Sequence, residues 1–313
     1  MLTFCGVRQP FYFVCLSHRR SFHQTLRVVI YVLLFCILVS AAMNGNHFDQ
    51  MDPDLNLATL SDSPDIFDCR YFTADSFKQS ELDSLHQSLS IMCFNIRSFS
   101  KNFDEFNGFL DNCGHVFDVI VLTETWANDE TRTLCHIPGY NSVHNYRENK
   151  RGGGVSVFIK ETIRFEAIDV LNISSDAMEC VGVNVTNPVS NNNTTILGAY
   201  RKPSGDVHQF ITSLTEIIST HSLTHKDSLI TGDFNVCLLK EGREDITDDF
   251  INMFRSFNFQ PIITRPTRIG RNDSLSLIDH IWTNTHSISS HGVLISDITD
   301  HFPIFCGIHI PSR

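Results

Sequence analysis

From about Leu89 to the carboxyl terminus, short apolar runs alternate with amphipathic stretches, as strands alternate with helices in an α/β protein. Ile91-Met-Cys-Phe-Asn95, Val119-Ile-Val-Leu-Thr123, Ile196-Leu-Gly-Ala-Tyr200 and Leu229-Ile-Thr-Gly-Asp233 read as strands, each closing on polar residues. Cys180-Val-Gly-Val-Asn-Val185 alternates and predicts a strand with one face on a core. Val155-Ser-Val-Phe-Ile159 predicts a strand leaving the flexible Gly152-Gly-Gly154 loop. Phe103, Phe106, Phe109, Leu110 and Cys113 recur at helical spacing, and Val207 to Ile218 and Ile246 to Phe257 read as amphipathic helices.

The chain before Leu89 has a different pattern. Residues 1–27 form a basic segment with Arg19, Arg20 and Arg27. Val28 to Met43 is an uncharged apolar run, one helix close to the lower limit of about 17 residues for a membrane span. With its basic flank it reads as a signal anchor, or as a signal peptide with a long leader. The competing reading is translated non-coding sequence. Residues 44–88 are polar and acidic and read as a flexible linker with room for one short helix. The expected organisation is therefore a non-domain amino-terminal segment with one apolar helix, then one domain over residues 89–311.

The polar residues at the strand ends carry the candidate chemistry. In Gly232-Asp-Phe-Asn235 a carboxylate and a carboxamide lie two positions apart at the carboxyl end of a strand, where α/β sheets bind ligands. Gly, Asp and Asn are also turn formers, so this segment alone equally fits a plain turn. The other strand ends continue as Asn95-Ile-Arg97-Ser98, Glu124-Thr-Trp126 and Tyr200-Arg201-Lys-Pro203. Near the carboxyl terminus come Ser276-Leu-Ile-Asp279-His-Ile-Trp282 and Ser296-Asp-Ile-Thr-Asp300-His301-Phe-Pro-Ile304.

Taken in order, these motifs resemble the endonuclease/exonuclease/phosphatase superfamily, most of all the endonuclease domain of non-LTR (LINE-type) retrotransposons. The resemblance implies a DNase I-like α/β fold, a four-layer sandwich of two mixed β-sheets flanked by helices. It implies hydrolysis of phosphodiesters with Mg²⁺ or Mn²⁺, held by Glu124 and Asn95 with Asp300 as a further contact. A hard cation of this kind takes carboxylate and amide oxygens. His301 paired with Asp279 and the carboxylate of Asp233 would activate water, either one taking the proton. Asn235 and Tyr200 would hold the phosphate. DNA is the implied partner. Its phosphates would meet Arg97, Arg201, Arg268 and Arg271, the last two in a hairpin that turns at Gly270, Asn272 and Asp273. Without the resemblance, Glu124 and Asn95 read as an ion-paired Glu and a capping Asn, Tyr200 as a strand aromatic, and the arginines as a solvated surface.

Two departures refine the match. Arg97 stands where base-excision relatives carry an acidic residue, which moves the resemblance toward the retroelement group. Thr299 stands where a Ser-Asp-His triplet is usual and keeps the hydroxyl.

Hydrophobic content of 42% and charged content of 19% are ordinary for an α/β domain. The net charge of −11 is unlike a simple nucleic-acid binder and argues against tight autonomous DNA binding. The ten cysteines show no zinc spacing, and Cys93, Cys180 and Cys306 sit in apolar strands as core residues. Asn-x-Ser/Thr sequons occur at Asn172, Asn184, Asn192, Asn193 and Asn272, as chance allows in a chain rich in these residues. The protein is expected at a membrane if residues 28–43 insert, and otherwise inside the cell or nucleus; no protein partner is implied. Three other readings stay open: a sphingomyelinase- or inositol-phosphatase-like hydrolase on the same fold, a catalytically silent membrane-anchored binding module, and an unexpressed retroelement remnant.

Overall fold

The apolar runs become strands because their side chains can be buried on both faces. In the strand Ser88–Asn95 every residue is buried. A computed structural model describes residues 69–309, apart from 129, 148–151, 187–191 and 222. In chain order the elements are β1 (Arg70–Phe72), α1 (Ala74–Ser80), α2 (Leu82–His86), β2 (Ser88–Asn95), α3 (Phe99–Cys113), β3 (Val119–Thr123), β4 (Tyr140–Asn145), β5 (Val155–Lys160), β6 (Arg164–Ser174) and β7 (Glu179–Thr186). Then follow β8 (Asn193–Tyr200), α4 (Val207–Thr220), β9 (Asp227–Asp233), α5 (Asp245–Ser256), β10 (Gln260–Pro261), β11 (Arg268–Ile269), β12 (Leu275–Ser276), β13 (Asp279–Thr283), β14 (Ile288–Leu294) and β15 (Ile304–His309).

Two mixed sheets result. The seven-stranded sheet runs β1-β14-β15-β2-β3-β5-β4, and the six-stranded sheet runs β10-β13-β9-β8-β7-β6. Among the described residues only β1/β14, β2/β3 and β8/β9 pair in parallel. The inner faces meet through Cys93, Val121, Val155 and Val157 of one sheet and Val181, Val183 and Ile196 of the other. Gly198 permits the close approach, since a Cβ there would lie 2.8 Å from Val121 Cγ1. On the outside of the seven-stranded sheet, Phe94, Phe158 and Phe305 pack with Phe77, Phe99 and Phe106 from the helices. On the six-stranded side, Phe210 of α4 and Phe250 and Phe254 of α5 cover Phe234 and Trp282, with Phe254 stacked on Trp282 at 4.2 Å. Helix, sheet, sheet and helix make the DNase I-like four-layer sandwich.

The folded region starts earlier than Leu89. β1 pairs with β14, Phe72, Phe77 and Leu85 are buried, and the Tyr71 hydroxyl donates to Pro266 O at 2.9 Å. Residues 69–88 are therefore part of the domain, not of a linker. Their elements are so short that a few buried aromatic residues, not a periodic pattern, hold them. The basic segment, the Val28–Met43 run and the start of the expected linker lie outside the described residues. Among the described residues no helix is long and apolar enough to cross a membrane.

Candidate active site

The two sheets deliver their polar strand ends to one rim of the sandwich. Asn95 closes β2, and Glu124 follows β3, its parallel neighbour. In the other sheet Tyr200 closes β8 opposite Asp233 of β9, and Asp233 is opposite Asp279, the first residue of β13. Three side chains at these ends thus occupy one row across three strands. Gly232 makes the row possible, because a Cβ there would come within 1.7 Å of Ala199 O. His301 precedes β15, the antiparallel neighbour of β2, and so returns to the same rim.

Hydrogen bonds join the two sheets at this rim. Asn95 Nδ2 donates to Glu124 Oε1 at 3.0 Å and across to Asp233 Oδ2 at 2.7 Å. The Tyr200 hydroxyl donates to Glu124 Oε1 and the Trp126 indole N–H to Glu124 Oε2, both at 3.3 Å. His301 Nδ1 donates to Asp279 Oδ2 at 2.9 Å, and Thr267 Oγ1 donates to the same oxygen at 2.8 Å. Asn95, Asp233, Asp279 and His301 are all buried. The Thr299 hydroxyl links the Asn95 carbonyl to the His301 N–H, so the residue that departs from the usual Ser makes the contact its hydroxyl allows.

The backbone here is unusual. Arg97, Ser98, Glu124, Trp126 and Asn235 all have positive φ, a conformation that costs non-glycine residues energy and that clusters at functional sites. Asn102 of α3 supports the first of these turns by donating to Ile96 O and Arg97 O.

Buried like charges dominate the electrostatics. Desolvation, then the nearby Asp279 and Glu124 charges, push the Asp233 carboxyl up to about 7. Burial alone would lower His301. The Asp279 charge and hydrogen bond, with Asp233 and Asp300, outweigh it and raise the imidazole to about 9. Asp233, Asp279 and His301 bring their ligand atoms within 4.8 Å of one another. Carboxylates crowded this closely suit a hard divalent cation.

Several expected roles change. Asn95 turns its nitrogen, not its oxygen, to Glu124, and its Oδ1 accepts from the Arg97 N–H at 3.2 Å. Only a half-turn of the amide would present oxygen to a cation there. Neither Glu124 nor Asp300 belongs to the Asp233–Asp279–His301 cluster, and the Asp300 carboxylate is paired with Arg97 Nη1 and Arg268 Nε. Burial would raise Asp300, but the Arg268 hydrogen bond and the charges of His301, Arg97 and Arg268 hold it below its ordinary range. Arg201 is buried, and its guanidinium donates to the carbonyls of Phe234, Lys202, Gly205 and Asn235. It is a structural brace with no fork left for DNA. Asn235 commits one amide N–H to Arg201 O at 2.7 Å and remains half-buried at the rim. Arg97 and Arg268 are partly exposed but occupied by Asp300, whereas Arg271 is exposed at the tip of the β11–β12 hairpin. Trp126 and Thr267 were not anticipated as site residues. Their hydrogen bonds to Glu124 and Asp279 cannot be read from a linear pattern.

A family model described as the endonuclease/exonuclease/phosphatase family matches residues 92–301. The chain belongs to that family. Its rim of carboxylates, amides and one Asp–His pair therefore lies in a domain of phosphate-ester hydrolases. No curated protein matches the sequence. Among solved structures, the AP endonuclease of Leishmania major is similar at 16% identity and a TM-score of 0.59, with 82% of this chain and 98% of that one covered. The endonuclease domain of TRAS1, a telomere-specific non-LTR retrotransposon, is similar at 11% identity and a TM-score of 0.57, covering 71% and 98%. A Neisseria 3′ phosphatase bound to a product DNA hairpin is similar at 14% identity and a TM-score of 0.52, covering 70% and 98%. At these identities the likeness shows the shared endonuclease/exonuclease/phosphatase fold alone.

Proposed function

We propose that the protein is a divalent-cation-dependent phosphodiesterase that nicks DNA, of the retrotransposon endonuclease type. The observation that carries this reading is the buried Asp279–His301 pair, which joins the two sheets beside Asp233 of one sheet and Glu124 and Asn95 of the other. A bound Mg²⁺ or Mn²⁺ would polarise the scissile phosphate and stabilise the leaving oxygen. Glu124 would hold it, with the Asn95 oxygen after a half-turn of the amide.

The remaining work belongs to the chain's own residues. Asp233 takes the proton of the attacking water. A carboxyl raised to about 7 has the proton affinity of a base working near neutral pH. The Asn235 backbone N–H, which donates to Asp233 Oδ1 at 3.0 Å, fixes its orientation. His301, kept protonated by Asp279, presents its other N–H to a phosphate oxygen and stabilises the charge that develops there. The Tyr200 hydroxyl steadies Glu124.

DNA as substrate draws its support from the β11–β12 hairpin beside the site, which carries exposed Arg271, and from the Asn95-Ile-Arg-Ser segment that resembles retroelement enzymes. The fold shared with the TRAS1 domain is consistent with it. The test offers the full chain supercoiled plasmid, sphingomyelin and an inositol polyphosphate, each with Mg²⁺ or EDTA. Nicked circles formed only with Mg²⁺ support the reading. Cleavage of the lipid or the inositol phosphate with intact plasmid would replace it.

A further inference from the structure

A second buried charged group lies behind the site. Glu179, the first residue of β7, is 1% exposed and sits opposite Tyr200 of β8. Its Oε1 accepts from Arg147 Nε and its Oε2 from the Gly154 N–H. Arg147 Nη2 is buried with no hydrogen-bond partner among the described residues. A buried ion pair is a poor source of net stability, so what this one holds in place matters more than its strength.

That geometry leads to Glu124. Gly152, Gly153 and Gly154 all have left-handed φ, of 96°, 73° and 90°. A Cβ at Gly153 would meet Arg147 Nη2 and Glu179 Oε2 at 2.5 Å, and one at Gly154 would meet Thr125 Oγ1 at 2.5 Å. The loop turns its carbonyls to the residues just after Glu124. Gly153 O accepts from the Trp126 N–H at 2.9 Å, and Gly154 O from the Thr125 N–H at 3.4 Å. On the other side Glu124 O accepts from the Ser98 N–H at 2.8 Å. Glu124 is thereby held at φ 49°, with the Trp126 indole on its Oε2.

We propose that Glu179 is a positioning residue for the Glu124 carboxylate. It anchors the Gly154 N–H, and through the carbonyls of Gly153 and Gly154 it fixes Thr125, Trp126 and the strained backbone of Glu124. Arg147 neutralises Glu179 so that it can stay buried. The part of the inference that concerns cation affinity rests on the proposed function; the part that concerns the Glu124–Trp126 geometry does not.

The chain has two tryptophans, Trp126 at the site and Trp282 fully buried, so its indole N–H region in a ¹⁵N correlation spectrum holds two signals. Trp126→Phe assigns them, and Glu124→Gln shows where the Trp126 signal moves when the carboxylate is lost. Two charge-neutral double variants then separate the roles. Arg147→Met with Glu179→Gln removes both charges and keeps an oxygen for the Gly154 N–H. Arg147→Met with Glu179→Met removes that oxygen too. In metal-free protein the Gln form should keep the Trp126 signal in place, and the Met form should move it as Glu124→Gln does, with Trp282 unmoved. Mg²⁺ titrated against the same signal should bind about 10- to 100-fold more weakly to the Met form, the usual scale for residues that orient ligands. If the Met form does not fold, Glu179→Asp, whose shorter side chain draws back from Gly154, gives the same reading. A lowered melting temperature with an unmoved Trp126 signal would assign the pair to stability alone and overturn the inference. Equal shifts in both double variants would overturn the Gly154 route. A wild-type chain that ignores Mg²⁺ but shows the shift would overturn the proposed function and leave the positioning intact.

Discussion

At the scale of single residues, Glu124, Asp233, Asp279 and His301 decide the chemistry. Glu124→Gln keeps the shape and loses the charge, and should cost about 3 kcal/mol or more of transition-state stabilisation, the several kcal/mol a Lewis-acid cation supplies. Plasmid nicking at the wild-type rate by this variant, or in EDTA, would end the cation assignment. His301→Ala should lower kcat by about 10²–10³-fold, as for loss of one donor to the charge that develops in the transition state. Asp279→Asn should follow it closely, because Asp279 acts through its 2.9 Å contact to His301. The same groups predict how stability depends on pH. His301 is raised from its ordinary 6.5 to about 9, so its stabilisation is complete below pH 6.5 and lost as pH rises through 9. Asp233 is raised from 3.8 to about 7, so ionising it in the folded state is unfavourable, and stability is again lost as pH rises, between about 4 and 7. Both shifts have the same sign. In EDTA the melting temperature should therefore fall from pH 5 to pH 9, and Mg²⁺ should restore most at the alkaline end, where a cation replaces protons. Thermal unfolding followed by circular dichroism measures both; a metal-free melting temperature that climbs across this range would contradict the charge assignment.

At the scale of elements, the β11–β12 hairpin links the outside of the molecule to the catalytic loop. Ile269 N donates to Asp300 O at 3.0 Å, Phe302 N donates to Thr267 O at 2.7 Å, and Arg268 Nε donates to Asp300 Oδ2 at 2.9 Å. The two hairpin arginines therefore separate in function. Arg271→Ala should reduce the salt dependence of DNA binding by about one counterion and leave hydrolysis of a small phosphodiester unchanged. Arg268→Ala frees one side of Asp300 beside His301, so it should lower hydrolysis of the small substrate as well. Salt-dependent binding curves and a chromogenic diester assay distinguish them. Equal effects of the two substitutions in both assays would mean that the hairpin arms are not specialised.

At the scale of the whole molecule, the amino-terminal boundary is open to test. Deleting residues 1–68 should leave cooperative unfolding intact, whereas deleting 1–88 removes β1 and with it the burial of Phe72, Phe77 and Leu85. Truncating Phe77 alone to Ala should cost about 3–5 kcal/mol, the range for a large core aromatic. A chain starting at Leu89 with the melting temperature of the longer one would return residues 69–88 to a linker. The sequence by itself determined the strand cores of β2, β3, β5, β7, β8 and β9, the main helices and the order of the polar strand ends, and it left β4, β6, β10 and β14 unread. Apolar periodicity is local, and the family's motifs follow one another along the chain. It left β1, α1 and α2 unread because elements of three to seven residues are stabilised by what they dock onto, not by their own pattern. Tertiary structure alone decided which polar groups face a reacting atom. Arg201 and Arg271 look alike in the sequence, yet one is buried among backbone carbonyls and the other is exposed at a hairpin tip. Asp300 and Asp233 are both acids at strand ends, yet two guanidiniums claim the first, and desolvation with neighbouring carboxylates raises the proton affinity of the second. Burial and charge proximity are sums over the whole fold, and no stretch of chain contains them.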